Sequence, residues 1–196
     1  MPNYDPRSAL LVLDMQNDFA DPIGGLSVNG GDLIVPAVNE AVTSAAAAGA
    51  MVVYTQDWHP EITPHFEKDG GIWPVHCVHD TWGAAFHPDL RVEDGAPVIR
   101  KGIGGEDGYS AFSVRDPRSG EAWETALGSL LRDRMIQRVV VCGLTTDYCV
   151  VETVTDARGR HLEVDVLTRA IAAVEARAGD GERALERMRD VGAVLE

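Results

Sequence analysis

Basic residues are scarce in this chain. Seventeen lysines and arginines stand against 31 aspartates and glutamates, a formal net charge of −14. A surface of that sign cannot neutralise phosphates, so nucleic acid is not expected as a partner. Cysteine is scarce as well: three residues with no regular spacing do not make a disulfide framework. The expected home is the reducing cytoplasm, where a free thiol can be used. Long apolar runs are missing too, so no segment is expected to span a bilayer and no membrane partner is expected. The opening stretch MPNYDPRSALLVLDMQND lacks a basic n-region and its apolar run stops at Asp14, which speaks against a signal peptide.

What remains is an ordinary globular composition, 45% hydrophobic and 24% charged, in 196 residues, enough for one medium domain with a sizeable core. Apolar runs of strand length alternate with helical patterns. ALLVLD (9–14) is a continuous apolar run, the mark of a strand buried on both faces. Val35, Val38, Ala41, Val42 and Ala45 then recur at helical spacing, with Pro36 suited to the first turn and Gly49 to the stop. Further strands are predicted at 51–55, 96–101, 138–143 and 162–168, with a short one at 193–196. Helices are predicted at 122–133, about 147–158 and near 181–190. This alternation predicts a single-domain α/β protein over residues 1–196: three α/β/α layers around a mainly parallel, Rossmann-like sheet. One stretch departs from the pattern. Residues 57–95 form a long connection rich in proline, glycine and histidine, and loops of that length in compact domains usually carry function.

Ligands of open α/β sheets bind beyond the C-terminal ends of the strands, and the reactive side chains gather there. Asp14 ends the first strand, Asp57 and His59 follow the second, Lys101 ends the third, and CGLTTDYC follows the fourth. Asp57 and His59 are two apart, so in an extended segment both face one side, about 7 Å apart. Two side chains so placed reach one ion at bond lengths of about 2.0–2.2 Å. His76 and His65 complete the shell from the same loop, which holds four of the six histidines within 59–79. A carboxylate with imidazoles suits one divalent ion, Zn²⁺ foremost and Fe²⁺ or Mn²⁺ after it. His79 and His87 lack such geometry and are expected at the surface, and Asp18 is expected in a turn.

Among the thiols, Cys142 lies in an apolar strand and reads as an inert core residue, and Cys77 reads as packing. Cys149 differs, because the turn GLTTDY carries it into the first turn of the next helix. There the unpaired N–H groups and helix dipole favour a thiolate and could hold an oxyanion. Such a nucleophile needs a base. Asp14 can take its proton and later give it to a leaving amine, while Lys101 pairs with Asp14 and adds positive potential. The glycine-rich KGIGGEDG lacks the residue order of a phosphate-binding loop.

The motifs LLVLDMQNDF, TQDWHP, PHF, WPVHC, RKG…YSAF and VCGLTTDYCV, in that order over residues 10–150, resemble those of nicotinamidases (pyrazinamidases), which belong to the isochorismatase-like cysteine hydrolases. The resemblance implies a catalytic triad of Asp14, Lys101 and Cys149. It implies metal ligands Asp57, His59 and His76, with His65 matching a further ligand found in some members. Phe19 and Trp73 match aromatic positions that sandwich the substrate ring, with Tyr109 near them, and Tyr148 stands where some relatives have histidine. The backbone N–H groups of Thr145 and Cys149 would form the oxyanion hole, with a cis peptide between Leu144 and Thr145. The implied activity is deamidation of nicotinamide, and of pyrazinamide, through a Cys149 thioester, with NAD salvage as its setting. The substrate is a small molecule, and there is room for a homo-oligomer. Two neighbouring activities, N-carbamoylsarcosine and ureidoacrylate amidases, resemble the chain in the triad but lack the Asp/His metal set. A non-catalytic sensor of nicotinamide or metal would not need the full triad.

Overall fold

A computed structural model describes residues 4–196. Residues 1–3, part of the stretch read above against a signal peptide, lie outside the described residues. Six strands form one parallel sheet: β1 (Ser8–Leu13), β2 (Met51–Asp57), β3 (Val98–Lys101), β6 (Arg138–Leu144), β7 (Glu163–Ala172) and β8 (Val194–Leu195). Their order is β3-β2-β1-β6-β7-β8, with the two predicted inner runs at the centre. A separate antiparallel pair joins β4 (Ser113–Arg115) to β5 (Ala122–Glu124).

Strand β1 shows why its sequence is apolar throughout. Leu10 and Val12 pack on one face against Val35, Val38 and Val42 of α2 (Val35–Ala47). Ala9, Leu11 and Leu13 pack on the other against Leu127 and Leu131 of α3 (Ala126–Asp133), Val154 and Ala157 of α4 (Val151–Gly159), and Met188 of α5 (Asp180–Asp190). All six residues of β1 are buried, as a strand covered by helices on both sides requires. Full burial of one such leucine or valine stabilises the fold by about 1.5–3 kcal/mol. At the centre of the sheet Gly143 adopts φ +105°, and a Cβ there would lie 2.1 Å from the Leu13 carbonyl oxygen. Only glycine lets the β6 backbone come that close to the end of β1.

Helix α2 contains Pro36 in its first turn and gives way at Gly49, as predicted. The helix predicted at 122–133 is shorter than its pattern. Residues 122–124 pair as β5 with β4, and Thr125 caps α3 by accepting a hydrogen bond from the Leu127 N–H at 3.1 Å. Ahead of α4, Thr146–Val150 form a wide π turn. A four-residue helix, α1 (Asn17–Ala20), follows β1. Among the described residues no helix is long and apolar enough to cross a membrane.

Candidate active site

The chain leaves β1 at Asp14 in a left-handed conformation, φ +48°, which turns its carboxylate under the C-terminal ends of the strands. Aspartate tolerates this backbone better than bulkier residues do. Thr55 fixes the turn from β2, because its hydroxyl accepts from the Asp14 N–H at 3.0 Å and donates to the Asp14 carboxylate. Gln16 ties down the end of β2 by donating to the Asp57 carbonyl at 2.7 Å and accepting the Asp57 N–H at 2.8 Å.

Lys101, at the end of β3, points inward and is 2% exposed. Its ammonium donates to Asp14 at 2.9 Å and to Asp57, and lies 3.7 Å from the Cys149 sulfur. Burial works against its charge, but Asp14, Asp57 and Cys149 around it hold its pKa well above the ordinary lysine range. The two carboxylates are pushed apart. Burial raises Asp14, although Lys101 works the other way. At Asp57 burial is outweighed by Lys101, His59 and His76, which hold the carboxyl well below its ordinary value. The Asp57 carboxyl is thus held in its charged form, while that of Asp14 is drawn toward the neutral one.

Cys149 sits in the π turn, its sulfur 3.7 Å from the Lys101 ammonium and under the influence of Asp14. Burial drives the thiol well above its ordinary value, more than Lys101 lowers it, so the resting group is S–H and ionises only by giving its proton to a base. The Leu144–Thr145 peptide is cis, as the resemblance implied. Beyond expectation, the Thr145 hydroxyl is buried and has no hydrogen-bond partner among the described residues.

The histidines converge on the other wall. His59, His65 and His76 offer ligand atoms that all lie within 4.8 Å of one another. Asp57 Oδ2 stands 3.8 Å from His59 Nε2 and 3.9 Å from His76 Nε2. The Nδ1–H of His76 donates to the Pro74 carbonyl at 2.8 Å, which leaves the lone pair on Nε2. Burial lowers the His76 pKa to about 4, so the ring is neutral at pH 7, as a ligand must be. Neither ring nitrogen of His59 has a hydrogen-bond partner among the described residues, although the ring is buried. An orphaned buried imidazole facing two others and a carboxylate fits a divalent ion. Phe66, fully buried, backs all three rings at centroid distances of 5.4–6.1 Å.

Asp14, Asp57, His59, His65, His76 and Cys149 line one cleft, with Lys101 buried behind Asp14 and Asp57. Phe19 lies beside His76, ring centroids 5.3 Å apart. The Trp73 indole N–H donates to the Tyr109 hydroxyl at 3.1 Å, and Tyr148 meets Trp73 and Tyr109 edge-on at 5.0 and 5.2 Å. All of the expected site residues therefore meet here. Tyr148, singled out beside Cys149, lines the cleft; sequence reasoning missed Thr55 and Gln16, whose contacts cross between elements with no local signal. Asp107 was missed too. It lies 3.1 Å from His65 and is held down to about 2, chiefly by that contact.

Other expectations divide. Cys142 and Cys77 are buried, and burial raises both thiols, in keeping with inert packing. Asp18, expected in a turn, lies in α1 and accepts the Gly25 and Cys77 N–H groups, tying two loops to the end of β1. His79 is exposed, but His87 is buried, a correction: its N–H donates to the Met15 carbonyl and its ring accepts the Asp89 N–H. Those bonds fold 84–90 back onto the β1 turn and cover the ring.

With this geometry in hand, comparison places the chain in a class: residues 8–196 match the Isochorismatase domain, and the chain belongs to that family. Within it, the chain is 35% identical to a nicotinamidase of Escherichia coli (strain K12), over 97% of this chain and 94% of that one. Its fold superposes on a Pyrococcus horikoshii pyrazinamidase in complex with zinc at TM-score 0.87 and 39% identity, covering 97% of this chain and 99% of that chain. PnC1 of L. infantum in complex with nicotinate superposes at TM-score 0.88 and 35% identity, covering 100% and 95%.

Proposed function

We propose that this chain is a metal-dependent amidohydrolase that converts nicotinamide to nicotinate and ammonia, and accepts pyrazinamide, through a thioester on Cys149. The observation that carries the reading is the meeting, in one aromatic cleft, of the Asp14–Lys101–Cys149 cluster with three imidazoles. The likeness to nicotinamidases and to a nicotinate complex supports the substrate, and the zinc complex supports zinc as the ion. His59, His65, His76 and Asp57 would hold that ion, which when bound supplies an electrophilic anchor for the pyridine nitrogen. We propose one catalytic domain over residues 1–196, with 57–95 as its metal-binding region, since all the imidazoles of the cluster come from that stretch.

Phe19, Trp73 and Tyr109 hold the flat ring at little entropic cost and present its carboxamide to Cys149. Asp14 takes the thiol proton as sulfur bonds to the carbonyl carbon, and the oxygen becomes an oxyanion facing the Thr145 and Cys149 N–H groups. The C–N bond then breaks, nitrogen takes the proton from Asp14, and ammonia leaves. A water gives a proton to Asp14 and its oxygen to the acyl carbon. The C–S bond breaks, nicotinate departs, and Asp14 returns the proton to sulfur. Lys101 keeps Asp14 charged enough to act as a base despite its burial. The three imidazoles argue against the N-carbamoylsarcosine and ureidoacrylate readings, which the resemblance describes as lacking the metal set.

The test is ammonia release from nicotinamide by the purified protein and by Cys149→Ala, with bound metal quantified in both. Release by the first only, with about one ion per chain in each, is the expected result. Intact nicotinamide in the presence of bound metal would sink the substrate assignment.

A further inference from the structure

We propose that Asp107 is a positioning residue for the metal centre. It is not a ligand; it holds His65 so that the ring presents one lone pair to the ion. The proposal rests on the metal-site reading above and adds to it a residue from outside the histidine-rich loop.

The geometry is specific. Asp107 Oδ1 lies 3.1 Å from His65 Nδ1. A carboxylate at neutral pH only accepts hydrogen bonds, so the imidazole proton resides on Nδ1 and the lone pair on Nε2. The Pro74 carbonyl does the same for His76 from 2.8 Å. Two imidazoles of the cluster are thus fixed in the same tautomer by an oxygen acceptor, one neutral and one charged. A charged acceptor also makes the imidazole a stronger donor to a cation.

Asp107 is itself held in place. Its N–H donates to the Arg115 carbonyl at 2.8 Å, and its carbonyl accepts the Arg115 N–H at 2.7 Å. Its Oδ1 accepts the Gly108 N–H at 2.8 Å, and the Arg115 guanidinium reaches Oδ2 at 3.4 Å. Asp107 is therefore anchored to β4, while His65 belongs to the loop after β2. The contact ties the loop after β2 to a hydrogen-bonded hairpin. The same 102–109 connection starts at Lys101 and carries Tyr109, which accepts from Trp73. One loop thus touches the triad, the metal centre and the aromatic wall.

The experiment measures zinc affinity, not turnover. Metal-free protein competes with a chromophoric chelator for zinc, and cobalt-loaded protein is read by visible absorption. Asp107→Ala is expected to weaken zinc binding 10- to 100-fold. Asp107→Asn is expected to lose less, because its amide oxygen still accepts the Nδ1–H. The double variant Asp107→Ala with His65→Ala is expected to bind no more weakly than His65→Ala alone, and Asp107→Ala should move the cobalt spectrum toward that of His65→Ala. Circular dichroism checks that each variant folds. Wild-type affinity in Asp107→Ala beside a loss in His65→Ala would overturn the proposal and leave the metal site standing. Losses that simply add in the double variant would overturn it as well. Unchanged affinity in His59→Ala and His76→Ala would instead overturn the metal-site reading itself.

Discussion

Asp14 and Asp57 bind the same ammonium, that of Lys101, yet their carboxyl pKa values move in opposite directions. Asp57 faces two imidazoles in addition to the lysine, and Asp14 faces a thiol and a threonine hydroxyl. On the proposed function, one cation thus serves a permanent anion for the metal and an exchangeable base for the nucleophile. The division of labour comes from what lies on the far side of each carboxylate.

Asp14→Asn should remove the base and keep the metal. We expect kcat to fall by about 10²–10⁴, with bound metal still near one per chain. Stopped-time ammonia assays and metal quantification on the same sample check both halves, and loss of metal would contradict the division.

Lys101→Met should cost stability as well as activity. Two buried carboxylates would be left without their shared cation, and breaking a buried pair costs about 3–5 kcal/mol. Urea unfolding monitored by fluorescence measures it. A loss below about 1 kcal/mol would show that the ammonium is not the main charge balancing the pair.

The acid limb of kcat/KM should report Asp14. The base works only when ionised, and burial raises its pKa above the ordinary 3.8. Activity is therefore expected to fall as pH drops through a value higher than 3.8, where an unperturbed aspartate would still be charged. A limb below that value would contradict the assignment.

Alkylation by iodoacetamide should test the resting state of Cys149. With the thiol pKa raised well above 9.0, the thiolate fraction grows tenfold per pH unit throughout the neutral range. We expect the rate to keep climbing between pH 7 and about 9, without a plateau. A plateau near neutrality would mean a preformed thiolate.

Gly102→Ala should damage the metal site from behind. The glycine has φ +80°, and a Cβ there would sit 2.4 Å from His59 Nδ1. The ring must shift, and zinc binding measured by chelator competition is expected to weaken at least tenfold.

Much of this site was legible in the sequence because its signals are local. Asp57 and His59 share a face by simple alternation, and strand ends announce where Asp14 and Lys101 must meet. The illegible parts depend on contacts between distant segments. Nothing near Asp107 reveals that β4 will carry it to His65, and nothing near His87 reveals that the 84–90 turn will bury it. Residues 122–124 look helical until β4 supplies a partner strand. The helix-start position of Cys149 is visible in sequence, and the desolvation around its thiol is not.

All three thiols of the chain are buried, and among them only Cys149 borders the cleft. An oxidant that reaches Cys149 must therefore enter the cleft that Trp73, Tyr109 and Tyr148 help to line. On the proposed function, amide and oxidant would compete for that cleft, and occupancy by substrate would shield the thiol from inactivation.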